Sequence, residues 1–354
     1  MEPFGDAASI SQADTSQRFD SRPVPQIIVD VDAGGDDAMA LLLLIAAQRQ
    51  GNIDILGITC VHGNSPVKNV CQNVLRILEA VECYDIPVFL GAEKPLIPID
   101  FPLASVSYQF FGSDGFGDLN LPEAPDRGKV VQQENAVEAL SRLTGTSRNK
   151  GKVSLICLGP LTNIALAMRT YSDFADNLQA LYIMGGNCTG IGNVTSAAEF
   201  NFYNDPEAAH IVLSSAVCPI TLLPWETSLH AEISMDWRFN VLGKMNNEAV
   251  KLLNAVEEKV YTAAQLSVWY PCDAVVAAIF LWPEIIIKKR DCHVSVELHG
   301  FRTRGQVVVD HLKNNKNNVT LIEQVNCILL QKQLLWSIEH GIERSSDLKL
   351  ENKQ

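Results

Sequence analysis

The sequence predicts an α/β protein, a single domain built on a mostly parallel, Rossmann-like open sheet flanked by helices. Three observations lead there. Short apolar, β-rich segments alternate with helical patterns, as in βαβ units. Those segments are continuous runs rather than alternating ones, as in strands buried on both faces. No linker-like stretch divides the 354 residues, and at 47% apolar content the chain can bury one large core.

In order, strands are predicted over 26–31, 53–59, 87–90, 152–158, 180–184 and 220–223. Helices are predicted over 38–48, 66–81, 135–143, 161–169 and 206–214. A later β-rich stretch, 294–309, suggests a hairpin around Arg304-Gly305, while the Pro-rich 93–107, 144–151 and the polar 313–318 suggest loops. The expected organisation is a flexible leader over 1–23, one domain over 24–345 and a solvated tail over 346–354.

Composition excludes several partners. The longest apolar run, 38–47, is too short to cross a bilayer and ends in Gln48 and Arg49, so no membrane span is expected. The amino terminus lacks the basic start and apolar stretch of a secretory signal, which makes the cytoplasm the expected location. Nine cysteines, an odd number without CxxC pairs, are expected to be free thiols. A net charge of -13 without a basic cluster argues against nucleic acid as partner and favours a small neutral ligand or a cation.

The strongest chemical signal is the segment IIVDVDAGGDDAMALLLL, at the first strand-to-helix junction, where open parallel sheets bind ligands. Asp30 and Asp32 share a strand face, Gly34 and Gly35 turn the chain, and Asp36 with Asp37 enters the first helical turn. Helix capping explains one carboxylate there, not four. Gathering four costs repulsion and desolvation unless a cation compensates, and an all-oxygen donor set selects calcium or magnesium. Two other motifs compete poorly. A phosphatase of the DxD type leaves the following Gly-Asp-Asp unused and wants Thr or Val at Ala33, and the GxGxxG of a dinucleotide site is absent.

The segment DVDAGGDDAMAL resembles the DTDPGxDDAxAL signature of the inosine-uridine preferring nucleoside hydrolase family, and further similar segments follow in family order. They are GITCVHGN ending at Asn64, GAEKPL from Gly91, DGFGD from Asp114, LGPLTNIALA from Leu158, MGG from Met184, GNVTSAAEFNFYNDPEAA from Gly192, CDA from Cys272 and RGQVVVD from Arg304. The resemblance spans 27–310 and implies the nucleoside hydrolase fold, a bound calcium ion and a homodimer or homotetramer. By it, Asp32, Asp37 and Asp273 match the carboxylate ligands, and the backbone carbonyl of Leu158 matches a further ligand. In the family the ion also holds the ribose 2′- and 3′-hydroxyls and a water, which makes Asp32 both ligand and general base. Asp36 and Asn201 match positions that bind ribose hydroxyls, with Asn64 in the same wall; Asn193 and Glu199 match contacts to the 5′-hydroxyl; Met184 and Phe200 match residues packed near the sugar. Asp30 belongs to the signature in a supporting place.

The chemistry is coherent on its own terms. Cleaving an N-glycosidic bond develops positive charge on the ribosyl ring, which a bed of carboxylates stabilises. Amide and acid side chains gripping the ribose hydroxyls fix the sugar as the recognised half of the substrate.

Four places depart from the pattern, one of them Gly35 in place of a common apolar residue. Cys272 stands where many relatives have a His that helps protonate the leaving base; a catalytic thiol and a buried structural one are both open. Phe111 precedes the DGFGD segment where relatives often have His, removing a polar contact to the base. Ala33 replaces the signature Pro. Tyr261, Trp269 and Tyr270 precede Asp273 and either stack on a base or pack the helix entrance. The expected function is calcium-dependent hydrolysis of ribonucleosides to base and ribose, in salvage; the alternative is a catalytically weak nucleoside- or ribose-binding protein that keeps the calcium cradle.

Overall fold

The structure, a computed structural model, describes residues 23–98 and 110–341. Almost all of the expected leader, the expected tail over 346–354 and the part of the Pro-rich loop from 99 to 107 lie outside the described residues.

The first half of the chain runs β1 (Gln26–Val31), α1 (Gly35–Arg49), β2 (Asp54–Cys60), α2 (Val67–Ala80), β3 (Val88–Leu90), α3 (Ala136–Gly145), β4 (Val153–Cys157), α4 (Thr162–Thr170) and β5 (Leu178–Met184). It continues through α5 (Phe200–Asn204), α6 (Pro206–Ser215), β6 (Ile220–Leu223), α7 (Trp225–His230), β7 (Ile233–Ser234), α8 (Met235–Asn240) and α9 (Glu248–Ala264). Last come β8 (Val268–Trp269), α10 (Cys272–Leu281), β9 (Ile286–Cys292), β10 (Val294–Val296), β11 (Val307–Val309), β12 (Val319–Val325) and α11 (Cys327–His340).

Eight strands form one sheet in the order β3-β2-β1-β4-β5-β6-β12-β9. Every pair is parallel except β12 with β9. The strand order reverses between β1 and β4, which opens a crevice at the carboxyl ends of those two strands. Side chains of β1 alternate between two cores: Ile27, Val29 and Val31 join one cluster and Ile28 the other, so the sheet separates two apolar layers of a single domain.

The six predicted strands all form, within two residues of their expected ends. Helix α1 is apolar on nearly every side and almost wholly buried, so it lies inside the domain between α10 and α11 rather than on its surface. The expected hairpin also forms, with Val294 opposite Val309, but as a separate two-stranded sheet. The sequence pattern did not announce β9 and β12. Strand β9 carries Lys288, Lys289 and Arg290 and is the edge of the sheet, where charge guards against further pairing and hides the strand from a search for apolar runs. No helix among the described residues is long and apolar enough to cross a membrane.

Candidate active site

The site grows from the end of β1. Asp30 Oδ1 accepts hydrogen bonds from Thr59 Oγ1 at 2.6 Å and Asn163 Nδ2 at 2.8 Å, tying β1 to β2 and α4. Burial raises this carboxyl to about 7 against the lowering effect of those two bonds, and it faces the scaffold rather than the cavity. Two residues on, Asp32 Oδ2 accepts the Asn64 backbone N–H at 2.8 Å. Asp37, in the first turn of α1, reaches back so that its Oδ2 accepts the Gly34 N–H at 2.8 Å, in the manner of a capping residue. Its Oδ1 is buried and has no hydrogen-bond partner.

A fifth carboxylate arrives from far along the chain. Helix α10 packs against α1, and its first turn delivers Asp273 to the same place as the first turn of α1. Carboxylate oxygens of Asp36, Asp37 and Asp273 lie within 4.8 Å of one another. Two helix N-termini thus point their positive ends at one acidic cluster. That is not enough to offset the crowding. Burial, then the charge of Asp37, holds Asp32 and Asp36 well above the usual carboxylate range; burial, then Asp36, does the same to Asp273. Burial brings Asp37 up to about 6. The tightest trio therefore contains Asp36, which the resemblance assigned to ribose, with Asp32 coupled to it through charge.

The ends of β4 and β5 supply the opposite wall. Asn201 Nδ2 donates to the Leu158 carbonyl at 2.7 Å, which locates that oxygen at the cavity. Glu199 caps α5: its Oε1 accepts the Asn201 N–H at 2.8 Å and its Oε2 accepts the Gly186 N–H at 2.7 Å. Burial pushes this carboxyl up to about 7 despite the three backbone N–H groups it accepts.

These groups meet in one cavity of about 420 Å³. Of the residues singled out from the sequence, Asp32, Asp36, Asn64, Phe111, Leu158, Met184 and Asn193 line it, as do Glu199, Phe200, Asn201, Tyr261, Cys272 and Asp273. Asp37 sits fully buried behind that wall, beside Asp36 and Asp273. Trp269 is a correction. It is fully buried outside the cavity, its indole N–H donating to Glu257 Oε1 at 2.9 Å, where Glu257 also pairs with Arg238 at 2.6 Å.

The far end of the cavity is aromatic. The Phe111 ring covers the turn so closely that a Cβ on Gly34 or Gly35 would come within 2.7 or 2.8 Å of it, so a larger residue at either position would have to displace the ring. Asn73 supports that arrangement, its Nδ2 donating to the carbonyls of Ala33 at 3.1 Å and Asp114 at 2.9 Å. Phe110, Trp225 and Tyr270 complete the rings, with Leu229 and Leu266 beside them. Trp225 and Phe110 escaped the sequence reading; Trp225 follows β6 directly, and its place just beyond a strand's carboxyl end was the available signal. The Cys272 thiol donates to the Tyr270 carbonyl at 3.6 Å, and burial followed by the charge of Asp36 raises it far above the ordinary thiol range.

The donors fit a hard divalent cation. All are oxygens, Asp37 Oδ1 has no other partner, and the mutual repulsion of the carboxylates calls for a positive charge among them. Among the described residues, Asp36, Asp37 and Asp273 are the carboxylates close enough together to hold it; the family resemblance would put Asp32 and the Leu158 carbonyl, both at the cavity, beside Asp37 and Asp273.

An acidic cavity with an aromatic end, set at the switch point of a parallel sheet, defines an α/β enzyme acting on a small polar ligand. The chain belongs to the inosine-uridine preferring nucleoside hydrolase family, whose sequence profile matches residues 27–331. It is accordingly a hydrolase acting on N-glycosyl bonds of ribonucleosides. It is 34% identical over 313 residues to a pyrimidine-specific ribonucleoside hydrolase, RihA, of Photobacterium profundum, covering 86% of this chain and 95% of that one. It is 40% identical over 190 residues to a probable uridine nucleosidase 1 of Oryza sativa subsp. japonica, covering 54% of this chain and 55% of the relative. Among solved structures it is similar to an inosine-guanosine nucleoside hydrolase, with a TM-score of 0.80 and 30% identity over 90% of this chain and 99% of that one.

Proposed function

We propose that this chain is a calcium-dependent ribonucleoside hydrolase in which Asp32 is the general base. The carrying observation is the convergence of Asp32, Asp36 and Asp273 with Asn201 and Glu199 in one cavity, Asp37 standing directly behind. The similar proteins differ in the base their names specify, uridine or another pyrimidine in two cases and inosine or guanosine in the third, so ribose is the half they share.

On this reading Asp36 and Asn201 hold ribose hydroxyls, Glu199 and Asn193 hold the 5′-hydroxyl, and Met184 and Phe200 pack against the sugar. Asp32 takes a proton from the water that attacks C1′, and the surrounding carboxylates stabilise the positive charge that grows on the ribosyl ring. Calcium, when bound, supplies Lewis acidity and offsets the repulsion that otherwise keeps these carboxyls protonated. Nine free cysteines suit a reducing compartment, in keeping with the cytoplasm, and a homodimer or homotetramer belongs to the same reading.

The test is incubation of the calcium-loaded protein with uridine, inosine and adenosine, following free base and ribose. Release from at least one is expected; no release from these or from any other ribonucleoside overturns the proposal. A catalytically weak binder is the second reading, favoured by the engagement of the Cys272 thiol with a backbone carbonyl, and nucleoside binding without turnover would select it.

A further inference from the structure

The walls of the cavity carry the carboxylates of Asp32, Asp36, Glu199 and Asp273, and no Lys, Arg or His is among the described residues lining it. Nor does the stretch 99–109 contain any of these three residue types. Arg238, the large buried cation closest in sequence to the aromatic end, is already paired with Glu257 at 2.6 Å and lies outside the cavity. The thiol of Cys272 donates to a backbone carbonyl. Among the described residues, a neutral base leaving this site therefore meets no imidazole or ammonium in the cavity wall to protonate it.

The same end is walled by five aromatic rings. Phe110 meets Phe111 edge-on at 4.9 Å and Tyr261 at 5.5 Å, and Trp225 is tilted against Tyr270 at 5.9 Å. Aromatic faces are electron-rich and attract cations, most of all where water is excluded. With calcium held among the carboxylates, the aromatic end still presents ring faces and no cationic side chain among its described residues, and it is complementary to positive charge on the base.

Resting on the hydrolase reading, we propose that the base end selects ribonucleosides whose base carries a fixed positive charge, namely N-ribosylated pyridinium rings or N7-alkylated purines. Such a base needs no proton to leave. The water oxygen forms the new bond to C1′, the C1′–N bond breaks, its electron pair goes to the ring nitrogen and cancels the charge there, and the water proton passes to a carboxylate. The missing acid then costs the reaction nothing.

The experiment compares kcat/KM of the calcium-loaded protein for nicotinamide riboside and 7-methylguanosine with that for uridine and guanosine. At least one cationic nucleoside is expected to exceed both neutral ones roughly tenfold or more; the pyridinium and purine arms show which ring the walls fit. Because cationic nucleosides are intrinsically more reactive, the ratio of cationic to neutral kcat/KM is also measured in Trp225→Leu and Tyr270→Leu. It should fall in each folded variant and be retained in Tyr270→Phe, which keeps the ring. A ratio unchanged by loss of the rings, or a higher kcat/KM for uridine or guanosine than for both cations, overturns this inference and leaves the hydrolase reading standing. Cleavage of none of the four overturns this inference, and cleavage of no ribonucleoside at all overturns both.

Discussion

Replacing Gly63 by Ala tests how tightly Asp32 is held. A methyl carbon at Gly63 would lie 2.0 Å from Asp32 Oδ2 and 2.7 Å from its Cγ, where ordinary contact begins at 3.4 Å. Retreat is limited, because Gly159 stands on the other side, where even a Cβ would come within 3.0 Å of Asp32 Oδ1. Nor can Asp32 keep the Asn64 N–H, now at 2.8 Å, once the 63–64 backbone shifts to make room. Gly63 has no positive φ, so Ala is compatible with its local backbone and the effect is one of space alone. Displacing a reacting group by about 1 Å costs on the order of 100-fold in rate. Overpacking adds about 1–3 kcal/mol of destabilisation. Steady-state hydrolysis of uridine or another accepted nucleoside, calcium titration and thermal unfolding of Gly63→Ala are the assays. The expected result is a folded protein with kcat down roughly 100-fold and weakened calcium binding. A variant with wild-type kcat and calcium affinity would refute both the placement of Asp32 and its role.

Other expectations follow from the same geometry. Arg238 and Glu257 form an ion pair with side chains 0% and 1% exposed, so Glu257→Gln, which keeps the shape but leaves Arg238 without a counter-charge, should lose about 3–5 kcal/mol in denaturant unfolding; a loss below about 1 kcal/mol contradicts this. Glu199 is pushed from 4.5 up to about 7, so the native chain holds its proton more tightly than the unfolded one: stability from this group is complete below about 4.5 and is lost as pH rises through about 7. The full effect is about 3 kcal/mol, and the pH slope of unfolding between those values should flatten in Glu199→Gln. An unchanged slope would assign the titration elsewhere. Cys272→Ser preserves a donor to the Tyr270 carbonyl and should leave kcat for uridine within about threefold, whereas an acid working in the reaction would cost about 100-fold or more when weakened.

Much of this was visible in the amino-acid order because its physical signals are local. Strands β1 to β6 are mostly buried and therefore appear as largely apolar runs, and four aspartates within eight residues at a strand-to-helix junction have few structural explanations. Strand β9 was hidden because an edge strand is partly solvated and tolerates Lys288 and Lys289. The aromatic end was legible only in part. Trp269 and Tyr270 are neighbours, yet successive side chains of an extended segment point to opposite sides: Trp269, paired across from Ile233, turns into the core while Tyr270 lines the cavity. Composition near Asp273 could not choose between them. Asp273 was named only through the family resemblance; its arrival beside Asp36 and Asp37 depends on the packing of α10 on α1, a contact between segments more than two hundred residues apart that no local pattern encodes.

The most direct measurement is a crystal structure of the protein grown with calcium and a ribose-like inhibitor. One calcium ion is expected with oxygens of Asp32, Asp37, Asp273 and the Leu158 carbonyl at about 2.3–2.6 Å, and with the sugar diol completing its coordination. An empty acidic cluster under saturating calcium, or an ion and sugar bound at some other place in the fold, would contradict the account.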